Sequence, residues 1–159
     1  MLKLHDLDFE LEHDYNLICI HTTLEDYRLA YFINDSLHIN LERKDEDLDF
    51  SNNKEKFSLY EYQNKSKFLT YNLLANKYTL VEYKTSNSNA LFYNTLLGDT
   101  KISYLISDKK QVDFFLKITG DLSLQQINCI IDRLNTIQQI ITVYTTDPEK
   151  LKQKTHLIF

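Results

Sequence analysis

Residues 112–145 change their hydrophobic period twice, and this change constrains the fold more than any other feature of the chain. In VDFFLKI, residues 112–118, apolar side chains recur at every second position, which predicts a strand. Gly120 ends this strand, and the apolar residues that follow recur at spacings of three and four, which predicts a helix with one core-facing stripe. The predicted stripe consists of Leu124, Ile127, Ile130, Ile131, Leu134 and Ile137. Ile141 and Val143 then return to the strand period, so the whole segment is predicted to be β-α-β.

Residues 15–43 predict a second β-α-β unit. YNLICIHT, residues 15–22, is a largely apolar strand, and Ile39 and Leu41 resume the strand period after a helical segment. Two such units in one chain predict an α+β fold, a ferredoxin-like β-α-β … β-α-β sandwich with two main helices on one face of the sheet.

Two pairs of residues fit the capping box that begins many helices. Thr22 with Glu25 and Ser123 with Gln126 both have the spacing S/T-x-x-E/Q. We therefore expect each pair to mark the start of one of the two helices.

The remaining sequence is predicted to belong to the same domain, residues 1–159, since no repeat or linker divides it. Short alternating runs in residues 57–93 predict an inserted antiparallel β-meander. Residues 149–159 are a lysine-rich C-terminal tail that finishes on the apolar residues LIF. This ending predicts a terminal strand or a tail docked on the core, with a partner-binding peptide as the alternative.

The start of the chain does not resemble an export signal. MLKLHDLDFELEHD is acidic and alternating, whereas a secretory signal has a positive start and a continuous apolar core. Residues 6–12 predict instead a strand with one acidic face. Cys19 and Cys129 lie within apolar patterns, which is typical of buried reduced thiols, with a disulfide or a catalytic thiol as the alternatives. The predicted location is therefore the cytoplasm, with no membrane segment.

No sequence pattern predicts a catalytic, cofactor or metal site. The chain has 2 glycines, too few for a Gly-rich phosphate loop. No two histidines have the spacing of a helical zinc site, although His21 and His38 flank the first predicted helix and could meet in space. The acidic run DEDLD, residues 45–49, lacks the glycine and the final glutamate of a calcium loop. The expectation is a non-enzymatic protein that binds no cofactor and no metal.

Charge is distributed unevenly along the chain. Residues 1–50 carry 13 acidic and 4 basic side chains, a net charge of −9, and residues 51–159 carry 10 acidic and 14 basic side chains, a net charge of +4. A local basic face in the second part is therefore possible, although solvated lysines are the simpler interpretation. The candidate interaction surface comprises Lys109, Lys110, Asp113, Lys117, Lys150, Lys152, Lys154 and Phe159.

This surface requires the loop before VDFFLKI to lie near the tail. In VDFFLKI, Val112, Phe114, Leu116 and Ile118 are predicted to face the core, and Asp113 and Lys117 to face outward. Arginine is nearly missing from this part of the chain, which argues against a dedicated nucleic-acid site. The tyrosines of the meander fit a half-buried sheet surface or, alternatively, a platform on which RNA bases stack. These tyrosines are Tyr60, Tyr62, Tyr71, Tyr78 and Tyr83.

The segment from Ile106 to Phe114, ISDKKQVDF, resembles the signature of the IPExxxVDY family of small Bacteroidetes proteins. Ile106, Val112 and Asp113 match that signature, while Ser107, Asp108 and Phe114 replace its Pro, Glu and Tyr. The chain length, the helix DYRLAYFIN, the strand end FLKITG and the tail ending in LIF are similar as well. Members of the family tend to be encoded beside ribonuclease III and pyruvate kinase, so the resemblance implies RNA metabolism or housekeeping control, and it implies no functional residues.

The expected function is that of a protein-interaction or regulatory module whose partner is an unknown protein or a second copy of the chain. An RNA-associated accessory factor is the first alternative, and a small-molecule-binding domain or enzyme is the second. No DNA partner is expected.

Overall fold

The computed structural model of the protein describes residues 14–49, 55–83 and 98–159. The predicted strand at residues 6–12 lies outside these ranges. The main elements, in chain order, are β1 (Tyr15–Thr22), α1 (Asp26–Leu37), β2 (Glu42–Arg43), β3 (Leu59–Asn64), β4 (Leu69–Ala75), β5 (Lys77–Tyr83), β6 (Gly98–Tyr104), β7 (Phe114–Thr119), α2 (Leu124–Asn135) and β8 (Ile140–Thr146). Single turns of 3₁₀ helix follow the strands at Ser107–Lys109, Pro148–Lys150 and Lys154–Leu157.

Six strands form one sheet in the order β2-β3-β4-β7-β1-β8, and every neighbouring pair in it is antiparallel. The strands β5 and β6 form a separate antiparallel hairpin. The described chain is thus an α+β structure with two helices and antiparallel sheets, which confirms the coarse fold class.

The segment 57–93, predicted as one inserted meander, is divided between these two sheets within its described part. The strands β3 and β4 belong to the main sheet, where β4 is an internal strand that pairs with β7. After Asn76 the chain leaves that sheet, and β5 pairs with β6 instead. Local alternation predicts a strand but not its partner, so the sequence could not distinguish these arrangements.

One face of the main sheet packs against both helices. Ile18, Ile20, Leu116 and Ile118 of the two central strands belong to this core together with Leu29, Ile33, Leu134 and Ile137. The predicted α2 stripe faces the core in part. Ile127, Leu134 and Ile137 are buried, and Ile130 and Ile131 pack half-buried against the same core. Leu124, the first residue of the helix, is 73% exposed.

The two predicted capping boxes have different outcomes. Ser123 and Gln126 form the complete box, with the Gln126 backbone N–H donating to Ser123 Oγ and the Ser123 N–H donating to Gln126 Oε1. The box at Thr22 is wrong, because α1 begins at Asp26 after an N-cap at Glu25. Thr22 is instead the last residue of β1, and its hydroxyl donates to the Gln139 carbonyl at 2.8 Å.

The other face of the sheet is also covered. Leu17, Cys19 and Phe115 are buried there against apolar residues of the loop after β6 and of the tail. The residues that reach them are Leu105, Ile106, Val112, Leu151 and Leu157. The residues buried on this face form a second core. The outward position predicted for Lys117 is therefore wrong, because its side chain points into this second core and is 7% exposed.

The tail forms two single turns of 3₁₀ helix, Pro148–Lys150 and Lys154–Leu157. Leu151 and Leu157 anchor it to the second core. Of the alternatives that the sequence left open, the docked tail is the one observed. None of the helices within the described ranges is long and apolar enough to cross a membrane.

Candidate interaction surface

Asn76 organises the loop that carries the IPExxxVDY-like segment. Its side chain is wholly buried between β4 and β5. The amide nitrogen donates to the carbonyls of Lys109 and Val112 at 2.8 and 2.9 Å, and the amide oxygen accepts the Ile106 backbone N–H at 2.8 Å. One buried side chain thus satisfies three backbone groups of the loop, which holds the loop in a single conformation.

Asp113 joins three strands at the start of β7. Its carboxylate accepts the Thr22 backbone N–H at 3.0 Å and lies 2.5 Å from the Lys77 ammonium. Its own backbone N–H donates to the Ile20 carbonyl. Asp113 is half-buried and its oxygens are engaged within the fold, so its contacts are structural rather than those of a free surface residue.

The loop and the tail do meet, as the candidate surface requires. Ser107 and Asp108 bond to the tail through the Gln153 side chain and the Lys152 backbone N–H. Each tail lysine of the candidate surface also lies near a carboxylate. The pairs are Lys150–Asp147 (3.7 Å), Lys152–Asp108 (3.7 Å) and Lys154–Glu149 (2.8 Å). The basic character of this surface is therefore reduced by neighbouring acidic side chains.

The other two loop lysines differ in exposure. Lys109 is half-buried and contributes its carbonyl to the Asn76 network. Lys110 is exposed, and its ammonium lies 5.8 Å from the centre of the Tyr104 ring.

Lys117 is held in a small cage beneath the tail. Its ammonium donates to the Leu157 carbonyl at 2.5 Å and lies 4.9 Å from the Tyr15 ring centre and 4.3 Å from the Phe159 ring centre. Burial lowers the pKa of Lys117, because removal from water disfavours the charged form. The carbonyl and the two ring faces offset part of that cost, so Lys117 secures the tail instead of forming an exposed contact.

The tyrosines of the predicted stacking platform are largely occupied in packing. The rings of Tyr60 and Tyr71 belong to the main core, and Tyr78 packs edge-to-face on Phe57. Tyr60 and Tyr71 are buried and have no free face for a base, and Tyr78 is half-buried against Phe57, so these three do not form a stacking platform.

Cys19, Tyr144 and His21 form a polar chain across β1 and β8. The Tyr144 hydroxyl bonds to Cys19 and lies 3.3 Å from His21 Nε2. Cys19 is wholly buried, and burial raises the pKa of its thiol to about 11. Since the thiolate is the reactive form, Cys19 is not a nucleophile at neutral pH.

His21 and His38, considered as a pair from the sequence, have separate roles. His21 stacks on Tyr144, while His38 ends α1 in the left-handed backbone region with φ 56°. Among the described residues, no group of three or more His, Cys, Asp or Glu side chains could hold a metal ion.

Within the part of the chain that the structure describes, the two edge strands of the main sheet differ strongly. The edge strand β2 has two residues, Glu42 and Arg43, both charged and exposed. The opposite edge, β8, has seven residues and the sequence IITVYTT, with no charge and many β-branched side chains. Ile141 is 71% exposed beside a bulge in the pairing of β8 with β1. Long uncharged edges are the ones to which another strand can add.

A strained turn joins β3 to β4. Phe68 has φ 53°, a backbone conformation that bulky residues rarely adopt, and its side chain is 88% exposed. Gly120 lies against it, since a Cβ at that position would be 2.5 Å from the Phe68 carbonyl oxygen.

A shallow groove lies next to this turn, between β4 and the two helices. Its apolar lining is Leu37, Leu69, Tyr71, Leu122 and Ile130, and its polar lining is Lys67, Gln126, Cys129 and Arg133. The volume is about 190 Å³. The sequence did not indicate this groove, because its walls come from segments far apart in the chain.

No family model, curated protein or solved structure matches this chain.

Proposed function

We propose that this chain is a non-enzymatic protein-interaction module that engages a partner by strand addition at β8. The partner is another protein or a second copy of the chain. The observation that carries the proposal is the long, uncharged edge of β8 opposite the short, charged edge of β2. An added strand gains main-chain hydrogen bonds at such an edge, and exposed side chains supply specificity.

The orientation of the β8 backbone identifies the groups that an added strand would use. The Val143 N–H points away from β1, because it donates to the Asn135 side chain at 3.1 Å, and it is therefore already bonded. Backbone groups of an antiparallel strand alternate between its two sides, so the N–H and C=O of Thr145 face the same open edge. Thr145 is exposed and pairs with Ile18 on its inner side.

A proline at position 145 tests the proposal without removing an internal ladder bond. Thr145→Pro deletes an outward donor and blocks strand addition, while Thr145→Val keeps the donor and the shape. We expect the wild type and Thr145→Val to form a complex that Thr145→Pro loses. The measurement is light scattering over a concentration series, with partner capture from the native host in parallel.

Two outcomes would contradict the proposal. In the first, the wild type stays monomeric, and the wild type and Thr145→Pro capture the same proteins. The second is a complex that all three proteins form equally. Unchanged circular dichroism and urea midpoints confirm that Thr145→Pro is folded.

We also propose a ferredoxin-like core for the fold. The support is the order β8-β1-β7-β4, in which α1 follows β1, α2 joins β7 to β8, and both helices pack on the same core. In this proposal β2 and β3 extend the sheet as a meander, and β5 and β6 form an inserted hairpin. All described elements then belong to a single domain.

Membership of the IPExxxVDY family remains a proposal, and the positions of the matching residues support it. Ile106 and Val112 are wholly buried, and Asp113 links β7 to β1 and β5. A cytoplasmic location is part of the same proposal, because the exposed free thiol of Cys129 suits a reducing compartment.

The RNA-associated alternative has less support than strand addition. The tail lysines are paired with carboxylates, and a steep salt dependence of RNA binding would require unpaired cations. The small-molecule alternative has less support as well. The apolar groove is smaller than the ~300 Å³ at which drug-sized ligand pockets begin. Two larger cavities, of about 360 and 340 Å³, are lined mainly by polar residues, whereas ligand pockets are mostly apolar.

A further inference from the structure

The groove between β4 and the helices combines an apolar floor with unpaired positive charge. Lys67 and Arg133 both line it, and neither forms an ion pair with any residue in the described ranges. Of the residues that the structure describes, no Asp or Glu lines the groove, although the whole chain carries a net charge of −5. An occupant with negative charge beside an apolar group therefore complements this site.

The size of the groove limits what can occupy it. A volume of about 190 Å³ is too small for a cofactor or a lipid chain, for which sites of several hundred Å³ are usual. It suits one large apolar side chain. Protein interfaces commonly depend on a single such anchor in a pocket, surrounded by polar contacts.

The strained turn supports an interaction role for the same region. Phe68 lies between Lys67 and Leu69, both of which line the groove. Its ring is 88% exposed and its backbone is strained, so packing within the fold does not explain a phenylalanine there. Strain of this kind clusters at functional sites, and an exposed aromatic ring is a typical interface contact.

We propose that this groove binds an acidic peptide segment of a partner protein. One apolar side chain of the peptide enters between Leu69 and Ile130, and its carboxylates pair with Lys67 and Arg133. Phe68 provides a further contact outside the groove. This surface is separate from the β8 edge, so the proposal stands or fails independently of strand addition.

Cys129 provides a direct probe of the site. Its thiol is exposed and lines the groove, whereas Cys19 is wholly buried with a raised pKa. An environment-sensitive fluorophore can therefore be attached at Cys129 alone. The first probe peptide has ten residues, capped ends and one central leucine flanked by glutamates. Two control peptides carry lysines in place of the glutamates, or alanine in place of the leucine.

We expect the acidic leucine peptide to bind the unlabelled protein, measured by anisotropy of a dye on the peptide, and to change the Cys129 fluorescence of the labelled protein. Lys67→Glu and Arg133→Glu should each weaken binding about fivefold or more, since each replaces an attraction by a repulsion. The alanine peptide should bind about tenfold more weakly, because the buried apolar area is lost. The lysine peptide should not bind.

Lys101→Glu is the matched control, because Lys101 is an exposed lysine of β6 that does not line the groove. It should leave the affinity unchanged, as should Thr145→Pro. The proposal is overturned if the acidic peptide does not bind or if the lysine peptide binds equally well. It is also overturned if the charge reversals Lys67→Glu and Arg133→Glu leave the affinity unchanged. Binding of a 12-nucleotide oligouridylate in place of the peptide, with the same sensitivity to Lys67→Glu, would overturn it in favour of a nucleic-acid site.

Discussion

The carbonyl oxygen of Phe68 lies so close to Gly120 that a Cβ atom at position 120 would be 2.5 Å from it. The same Cβ would be 2.8 Å from Leu69 Cδ2. Gly120 has φ 119°, a conformation that side chains rarely allow, and Phe68 has φ 53°. The strained Phe68 therefore meets a glycine where β4 begins and β7 ends, and one of the 2 glycines in the chain makes this approach possible.

Gly120→Ala should destabilise the protein by roughly 2–4 kcal/mol, because the clash with backbone adds to the cost of the positive φ. Urea unfolding followed by circular dichroism measures this free energy. Gly98→Ala, at the first residue of β6, changes the other glycine of the chain and is the control; it should cost less than Gly120→Ala. A Gly120→Ala protein as stable as the wild type would show that the approach of Phe68 is relaxed in solution.

Phe68→Asn should stabilise the protein by about 0.5–1 kcal/mol, since asparagine tolerates the left-handed region and the exposed ring contributes little packing. The same urea series measures the gain, and Lys65→Asn, an exposed turn position without the strained φ, is the control. If the groove proposal is correct, Phe68→Asn also weakens peptide binding while raising stability. A loss of stability on Phe68→Asn would mean that the ring packs within the fold.

Sequence reasoning succeeded where the determining interactions are local. The apolar spacing of α2 and the Ser123 capping box depend on residues within one or two turns, so the pattern and the structure agree. Lys117 shows the opposite case, because its burial depends on the carbonyl of Leu157, 40 residues away. Phe115 lies on the same face of β7 as Lys117. An apolar residue at this position of the sequence indicates that this face of the sheet is covered as well.

The candidate surfaces were less predictable because they too depend on contacts between residues far apart in the chain. The groove joins Lys67 and Leu69 of the β3–β4 region to Ile130 and Arg133 of α2, and no local pattern brings these together. The tail lysines were identified from composition, but their carboxylate partners depend on how the tail turns back. A lysine count predicts charge, whereas only the fold determines which charges remain unpaired.

Asn76→Ala should destabilise the protein by roughly 3–5 kcal/mol. The change leaves the buried Ile106 N–H and the buried Val112 carbonyl without their partner, whereas the Lys109 carbonyl still accepts the Val112 N–H. Each unsatisfied group costs about 1–3 kcal/mol, and the lost packing of the buried side chain adds to this. Hydrogen exchange at the Ile106 amide should accelerate more than the loss of global stability alone would cause. Asn128→Ala, at an exposed position of α2, is the control and should be neutral or slightly stabilising. Equal stability of the two variants would contradict the assigned role of Asn76.

Lys117 should make stability depend on pH in an identifiable direction. Burial lowers its pKa in the folded protein, so the unfolded chain binds more protons between that lowered pKa and the ordinary value of 10.5. The cost of the buried charge is therefore fully present below the folded pKa and is relieved as pH rises toward 10.5. Relative to a Lys117→Met variant, the wild type should gain stability with rising pH in this window.

Urea midpoints of both proteins, measured from pH 7 to pH 10.5, test this prediction. The comparison is needed because Cys19 and Tyr15 have raised pKa values of about 11 and about 12, and their effect has the opposite sign. Their stabilisation is lost as pH rises above their ordinary values of 9.0 and 10.0. The Cys19 effect cancels in the difference between the two proteins. Because the Tyr15 ring contacts Lys117, the difference is read below pH 10, where the Tyr15 effect is small. A difference that is flat with pH would mean that Lys117 is hydrated in solution and that the tail does not enclose it.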